Sequence, residues 1–346
     1  MQKKERQSGV ELLRIISMFL VLIIHANAFG VKWDALDLDN SLASGITTIA
    51  LQSISCVCVN VFVLISGWFG IHFSWRGLTR FLFQCFFFLF AIYIVMLLGG
   101  KTTLSIEGLA GCFMFLKWNW FIKAYIVLYF VSPVLNRFLD ATNERELKNI
   151  LLLFFVFQTL YGWLTNGAFF FEYGCSVTSF VGLYLLAQYV RRYLLVRFVR
   201  QQICGGGKII LLFVTLTIVL FAIVCVSAKF HVNFVIGKIF AYTSPFVILN
   251  ALLLLLIFVN IDKKGFKNSF INKVAMSSFA VFLLHTHPCV FSEYYQKTFI
   301  MLYESSPWYV FLLLLLMSTT IIFMAAVLID QIRILCWNKI ANHLFK

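Results

Sequence analysis

Arg14 and His25 stand eleven residues apart in a run that is otherwise almost wholly apolar, Glu11-Leu-Leu-Arg-Ile-Ile-Ser-Met-Phe-Leu-Val-Leu-Ile-Ile-His25. An α-helix turns about 100° and rises about 1.5 Å per residue, so eleven steps make about three turns. Both side chains then share one face, about 16 Å apart along the axis. Met18 and Val21 or Leu22 fill the stripe between them, and Glu11 precedes Arg14 by one turn on nearly the same side. Ionisable groups inside a spanning helix are costly, face the protein interior and mark functional sites. A guanidinium suits the binding of an anion, and a neutral imidazole suits removal of a proton near neutral pH. Taken singly, an arginine that snorkels to the headgroups and a histidine that packs would explain each residue. The shared face argues for a joint role.

Further candidates lie elsewhere in the chain. Phe282-Leu-Leu-His285-Thr-His287-Pro offers two more imidazoles at a helix end, either of which can be structural or serve as a base. Arg76 and Arg80 are four apart and share a helical face, a spacing fit for phosphates and equally for an ordinary basic flank. Asn60, Ser66 and Gly67 form a small polar patch in an apolar span, either for close helix packing or as a cavity wall. Trp118, Trp120 and Lys123 open another span, where paired tryptophans commonly belong to the interfacial belt.

These residues need helices across a bilayer to position them. The 346 residues are 62% hydrophobic and 12% charged, too apolar for a soluble protein of this size. Ten apolar runs have about the length of a bilayer crossing: 10–30, 46–70, 79–98, 118–136, 149–165, 174–190, 208–227, 234–259, 274–291 and 308–334. The expected fold is all-α, a polytopic membrane protein of about ten helices forming a single membrane domain over 1–346 with no appended soluble domain. A run at 108–116 is too short to span and reads as re-entrant or interfacial. The net charge of +14 does not mark a nucleic-acid binder, because the basic residues sit between apolar runs and form no stacked aromatic face.

Placing the N-terminus in the cytoplasm puts twenty Lys and Arg in inner segments and six in outer loops. That alternation predicts both termini inside. Ala26-Asn-Ala28 resembles a signal cleavage site, but Glu11 and Arg14 interrupt what would have to be a clean apolar core, so the first helix is expected to be retained. Nine cysteines without a Cys-x-x-Cys read mostly as small buried hydrophobes, no metal motif occurs, and Gly205-Gly206-Gly207 reads as a loop hinge.

Together these segments resemble one family. Arg14-x10-His25, Phe62-xxx-Ser66-Gly67, Asn119-Trp-Phe121 with Tyr125 and Pro133-xx-Asn136, and Phe-Leu-Leu-His285 occur in the order found in the acyltransferase 3 family. These are integral-membrane enzymes of about ten helices, mostly bacterial, that acylate extracytoplasmic sugars using cytoplasmic acyl-coenzyme A. The resemblance covers nearly the whole chain. It implies that Arg14 and His25 are the essential pair, with His25 as base, and that Arg76 and Arg80 meet the coenzyme phosphates. Many relatives separate those two arginines by two residues, whereas three intervene here. Some relatives carry a soluble esterase-like domain that completes transfer, so this chain is expected to act alone or with a partner.

The resulting expectation is a membrane O-acyltransferase, in the first place an O-acetyltransferase. It would take its acyl group from acyl-coenzyme A, a co-substrate and not a resident cofactor, and hold no metal. Its acceptor would be a cell-envelope polysaccharide, such as an exopolysaccharide, or a lipid-linked sugar, and its place the bacterial cytoplasmic membrane. Arg14, Arg76 and Arg80 would bind the donor. Asn60, Ser66, Trp120 and His285 are the candidates for meeting substrate, Asn60 or Ser66 by polarising the thioester carbonyl. The rival class is a transporter or flippase for lipid-linked glycan. Such proteins tend to show repeated halves and Gly/Pro-broken central helices, and this chain shows four prolines and no repeat.

Overall fold

The computed structural model describes residues 6–32, 42–113, 119–165, 168–195 and 206–344. Among these residues every regular element is helical. A chain crossing hydrocarbon has no water to satisfy its backbone, and a helix satisfies it within each segment. The first crossing joins α1 (Ser8–His25) to a π-helical turn, Ala26–Val31. The second consists of α2 (Leu42–Ser55) and α3 (Cys58–Phe69), broken at 56–57. Next come α4 (Trp75–Leu98), the short α5 (Ile106–Phe113), α6 (Trp120–Ala141) and α7 (Glu144–Phe157), which a π turn extends over Gln158–Leu164. They are followed by α8 (Ala168–Phe171), α9 (Val177–Tyr189) with a π turn Val190–Leu194, α10 (Gly206–Lys229), α11 (Asn233–Ile239) and α12 (Pro245–Lys263). The last group is α13 (Ser269–Met276), α14 (Ser278–His285), α15 (Pro288–Val290), a π turn Phe291–Gln296, α16 (Lys297–Ser305) and α17 (Trp308–Leu344).

The chain is thus an all-α, polytopic membrane protein. Eight of the described helical segments are long and apolar enough to cross, or nine if the segment pair Ser269–His285 and Pro288–Ser305, bent by 59°, counts as one. The sequence runs suggested ten. The difference is 174–190, where α9 has only 13 residues and is buried along most of its length among α3, α6 and α7. Run 234–259 also divides, into α11 and α12. Gly206 and Gly207 open α10 and do not form a hinge, while Gly205 lies outside the described residues. The run at 108–116 becomes α5, packed on α4, with 114–116 outside the described residues, as is Trp118. Of the cysteines expected to be buried, Cys56, Cys58, Cys85 and Cys112 are, but Cys336 is exposed.

Local chemistry sets the helix ends. Ser74, Asn119, Asn143 and Ser176 cap α4, α6, α7 and α9 by accepting a backbone N–H one turn in. Pro133 lies inside α6 and has no N–H for the Tyr129 carbonyl; the Ser132 hydroxyl donates to that carbonyl instead, at 2.7 Å. At the other end of the chain Pro288 forces the preceding residue out of helical conformation, and the bent pair breaks directly after His285.

The core is organised around α1, which touches α2, α3, α12, α13, α14 and α17. α1 begins without a cap from Gln7; instead Asp262 of α12 accepts the N–H groups of Gly9 (2.5 Å) and Val10 (3.0 Å). A carboxylate there also opposes the positive end of the helix dipole. Only glycine fits at position 9, since a Cβ would lie 2.6 Å from the Phe258 carbonyl. In this way α12 fixes how far α1, and everything on it, slides along its axis.

Candidate active site

Two cavities lie in series along α1. The larger, about 380 Å³, is lined by Arg6, Arg14 and Arg80 with Ser66, Gln84 and Tyr125 among its polar groups. Glu11, buried, ties two of those arginines: Arg14 Nη1 donates to its Oε2 at 2.8 Å, and Arg6 Nη1 is 3.8 Å from its Oε1. Three guanidiniums against one carboxylate leave the chamber positive, a ready site for an anion. Ser66 donates to the Phe62 carbonyl at 3.0 Å and so accepts from Tyr125, whose hydroxyl is 3.3 Å away. The neighbouring Gly67 serves the other half of the Ser66-Gly67 patch: it lets α3 approach α9 so closely that a Cβ would sit 2.7 Å from the Tyr184 carbonyl. One pair of residues thus supplies both a cavity wall and a helix contact.

The smaller cavity, about 30 Å³, holds His25 between Met18, Val21, Val59, Trp120 and Phe282. Phe62, Phe121 and Phe279 line both cavities and form an aromatic collar between them. The Phe121 and Phe279 rings lie 6.5 Å apart, as do those of Phe62 and Phe121. Arg14 and His25 therefore line separate chambers divided by three shared rings.

His25 has an imidazole partner from α14. Its Nδ1 lies 2.9 Å from His285 Nε2, and His285 Nδ1 lies 2.6 Å from the Val281 carbonyl. A carbonyl oxygen only accepts, so His285 carries its proton on Nδ1 and its lone pair on Nε2. His25 must then donate from Nδ1, which leaves its own Nε2 with a free lone pair. The chain of three groups fixes the tautomer that a base needs, in the way a second group orients a catalytic histidine elsewhere. His285 is itself 1% exposed and stands behind His25.

The remaining expected residues are placed as follows. Trp120 lines the His25 chamber, and Ser66 and Arg80 line the arginine vestibule. Arg76 is solvent-exposed and close enough to Arg80 to repel it electrostatically, but is not in the vestibule lining. Asn60 lines neither cavity; its amide donates to the Tyr242 carbonyl at 3.0 Å. His287 turns away, donating from Nε2 to the Leu89 carbonyl and capping Cys289 with Nδ1. Sequence reading missed Arg6 as a wall of the vestibule, Gln84, the collar and the Asp262 cap. Arg6 was visible only as one more basic flank; Phe62 and Phe121 stood out only as parts of family-like segments, and Phe279 looked like any other of the forty phenylalanines.

Among the described residues no cluster of His, Cys, Asp and Glu could hold a metal ion. A helical membrane bundle that sets a positive chamber beside a proton-accepting histidine is equipped for transfer of a group from an anionic donor. Comparison with known families agrees: the model of an acyltransferase domain, of acyltransferase 3 type, matches residues 7–327. The chain belongs to that family and is a multi-pass membrane acyltransferase. No curated protein and no solved structure matches it.

Proposed function

We propose that this chain transfers a short acyl group, in the first place acetyl, from acyl-coenzyme A to a hydroxyl of a cell-envelope glycan or lipid-linked sugar. The observation that carries the proposal is the pair of chambers on one helix, arginines in one and an oriented imidazole in the other, with the collar as their common wall. Coenzyme phosphates would rest among Arg6, Arg14 and Arg80 on the cytoplasmic side, with Arg76 nearby. The pantetheine arm would pass the collar and bring the thioester to His25. The distance suits this, since Arg14 and His25 are about 16 Å apart along the axis. A space of about 30 Å³ beside His25 favours a two-carbon acyl group over a long one.

The acceptor hydroxyl gives its proton to His25 Nε2 and its oxygen attacks the thioester carbonyl. The tetrahedral intermediate collapses and expels the coenzyme thiolate, which takes the proton back from His25. His285 steadies the imidazolium through the 2.9 Å bond. Arg14 binds the donor and does not touch the reacting atoms. Asn60 has no part in this reading. The bacterial cytoplasmic membrane, with both termini inside, is the setting that this direction of transfer requires.

The test is direct. Purified protein in liposomes is given acetyl-coenzyme A and cell-envelope glycan; coenzyme thiol is followed optically and the glycan by mass spectrometry. Thiol release coupled to a gain of one acetyl mass supports the proposal. Movement of glycan across the bilayer with its mass unchanged would establish the transporter instead.

A further inference from the structure

On the side of His25 away from the arginines, two π-helical turns meet. One is Ala26–Val31 and the other Phe291–Gln296, and they pack against each other. π turns are rare and gather at functional positions. Both are held firmly here: Gln296 donates to the Phe29 carbonyl at 2.8 Å, and Tyr295 donates its hydroxyl to the Leu22 carbonyl. Gly30 packs closely on α16, where a Cβ would lie 3.0 Å from Phe299 Cβ. Each turn presents one phenylalanine to the base. The Phe29 and Phe291 rings stand 5.6 and 5.9 Å from the His25 ring, both edge to face, and 5.3 Å from each other.

Phe29 is 47% exposed, and its surroundings are not those of a lipid-facing ring. Lys32 follows it within a turn and is exposed, and the exposed ion pair of Glu293 and Lys297 lies on the facing π turn and the start of α16. Charges at that level set the pair at the water boundary, not in hydrocarbon. The result is an edge-to-face aromatic pair with a polar rim, set against the His25 ring on its side away from the collar. A sugar ring has an apolar C–H face and a hydroxyl-bearing edge, which match an aromatic surface with a polar rim.

We propose that Phe29 and Phe291 are the acceptor subsite, a stacking platform for the apolar face of a sugar ring whose hydroxyl is thereby presented to His25. The inference rests on the glycan-acylating reading and names how the acceptor is chosen. It makes the enzyme selective for ring sugars over open-chain polyols carrying similar hydroxyls.

The experiment uses the full-length purified protein with acetyl-coenzyme A and two soluble probes, methyl β-D-galactopyranoside and sorbitol. Coenzyme release without any acceptor reads the donor half by itself. Wild-type protein should favour the pyranoside by roughly two- to tenfold in kcat/KM, the range an aromatic contact typically provides. Phe29→Leu and Phe291→Leu keep apolar volume but remove the ring, and each should lower that preference through a raised pyranoside KM. Phe29→Trp should keep it, which separates stacking from general damage. Selectivity retained in both leucine variants, or absent from the wild type while both probes are acylated, overturns the platform. Failure of the wild type to acylate either probe or the cell-envelope glycan, while it still consumes acetyl-coenzyme A, overturns the glycan reading and the platform with it.

Discussion

The two ends of α1 solve different electrostatic problems. At the Arg14 end the protein keeps a roomy vestibule of about 380 Å³ and lines it with three exposed or half-buried arginines, two of which share a single buried carboxylate. At the His25 end it leaves about 30 Å³ and surrounds the imidazole with aromatic rings and branched aliphatic chains. An anionic donor needs charge with room for water, because stripping guanidiniums of solvent would remove much of their benefit. A proton transfer needs the reverse, a tight and oriented lone pair with little competing solvent. Placing both on one helix, with the Phe62, Phe121 and Phe279 collar between, keeps the two environments from mixing.

That contrast is broken most sharply at His25. His25→Gln retains hydrogen bonding but cannot take the proton, so turnover should fall by about 10²–10⁴-fold with melting temperature close to wild type. Near-normal turnover in a folded variant would move the base elsewhere. The arginine end should respond in a different parameter. Arg14→Gln with Arg80→Gln should raise the acyl-coenzyme A KM by about ten- to a hundredfold while the acceptor KM stays put, measured by initial rates against each substrate. Raised salt should mimic part of that effect at the vestibule and leave turnover at saturating donor largely alone.

The two later histidines sharpen the comparison further. His285→Asn should lower turnover by about ten- to a hundredfold, the usual range for a group that orients a working imidazole. His287→Asn, two residues on and turned to the Leu89 carbonyl and the Cys289 amide, away from His25, should change rate by less than about threefold. Equal losses in the two variants would place both in general packing. The smallest effect concerns the register of α1. Asp262→Asn weakens the cap on Gly9 and Val10, which should lower stability by about 1 kcal/mol and lower turnover modestly, read as a shift in thermal melting and a matched rate assay.

The buried pair Asp330 and Arg333 shows why charge alone does not identify a site. Their side chains are 0% and 1% exposed, meet at 2.7 and 2.8 Å, and Gln84 donates to the same carboxylate. Gln84 also lines the vestibule, so this pair props a wall of it from behind without being part of the lining. In the sequence these two residues look like the tail of a span; in the structure α17 continues past them to Leu344.

The amino-acid sequence determined, by itself, that this chain is an all-α membrane protein, because continuous apolar runs of span length suit helices, which satisfy their own backbone, and not the short alternating strands of a barrel. Helical periodicity also put Arg14 and His25 on one face, since that depends on nothing beyond a constant turn per residue. Only the tertiary structure decided the rest. His285 rather than His287 meets His25, because Pro288 ends the helix and turns the later ring towards Leu89. Ser66 faces the vestibule while Asn60, six residues earlier on the same helix, bonds to the loop before α12. The collar, the Asp262 cap and the meeting of two π turns all join residues far apart in the chain. Their proximity comes from packing, which no local pattern encodes.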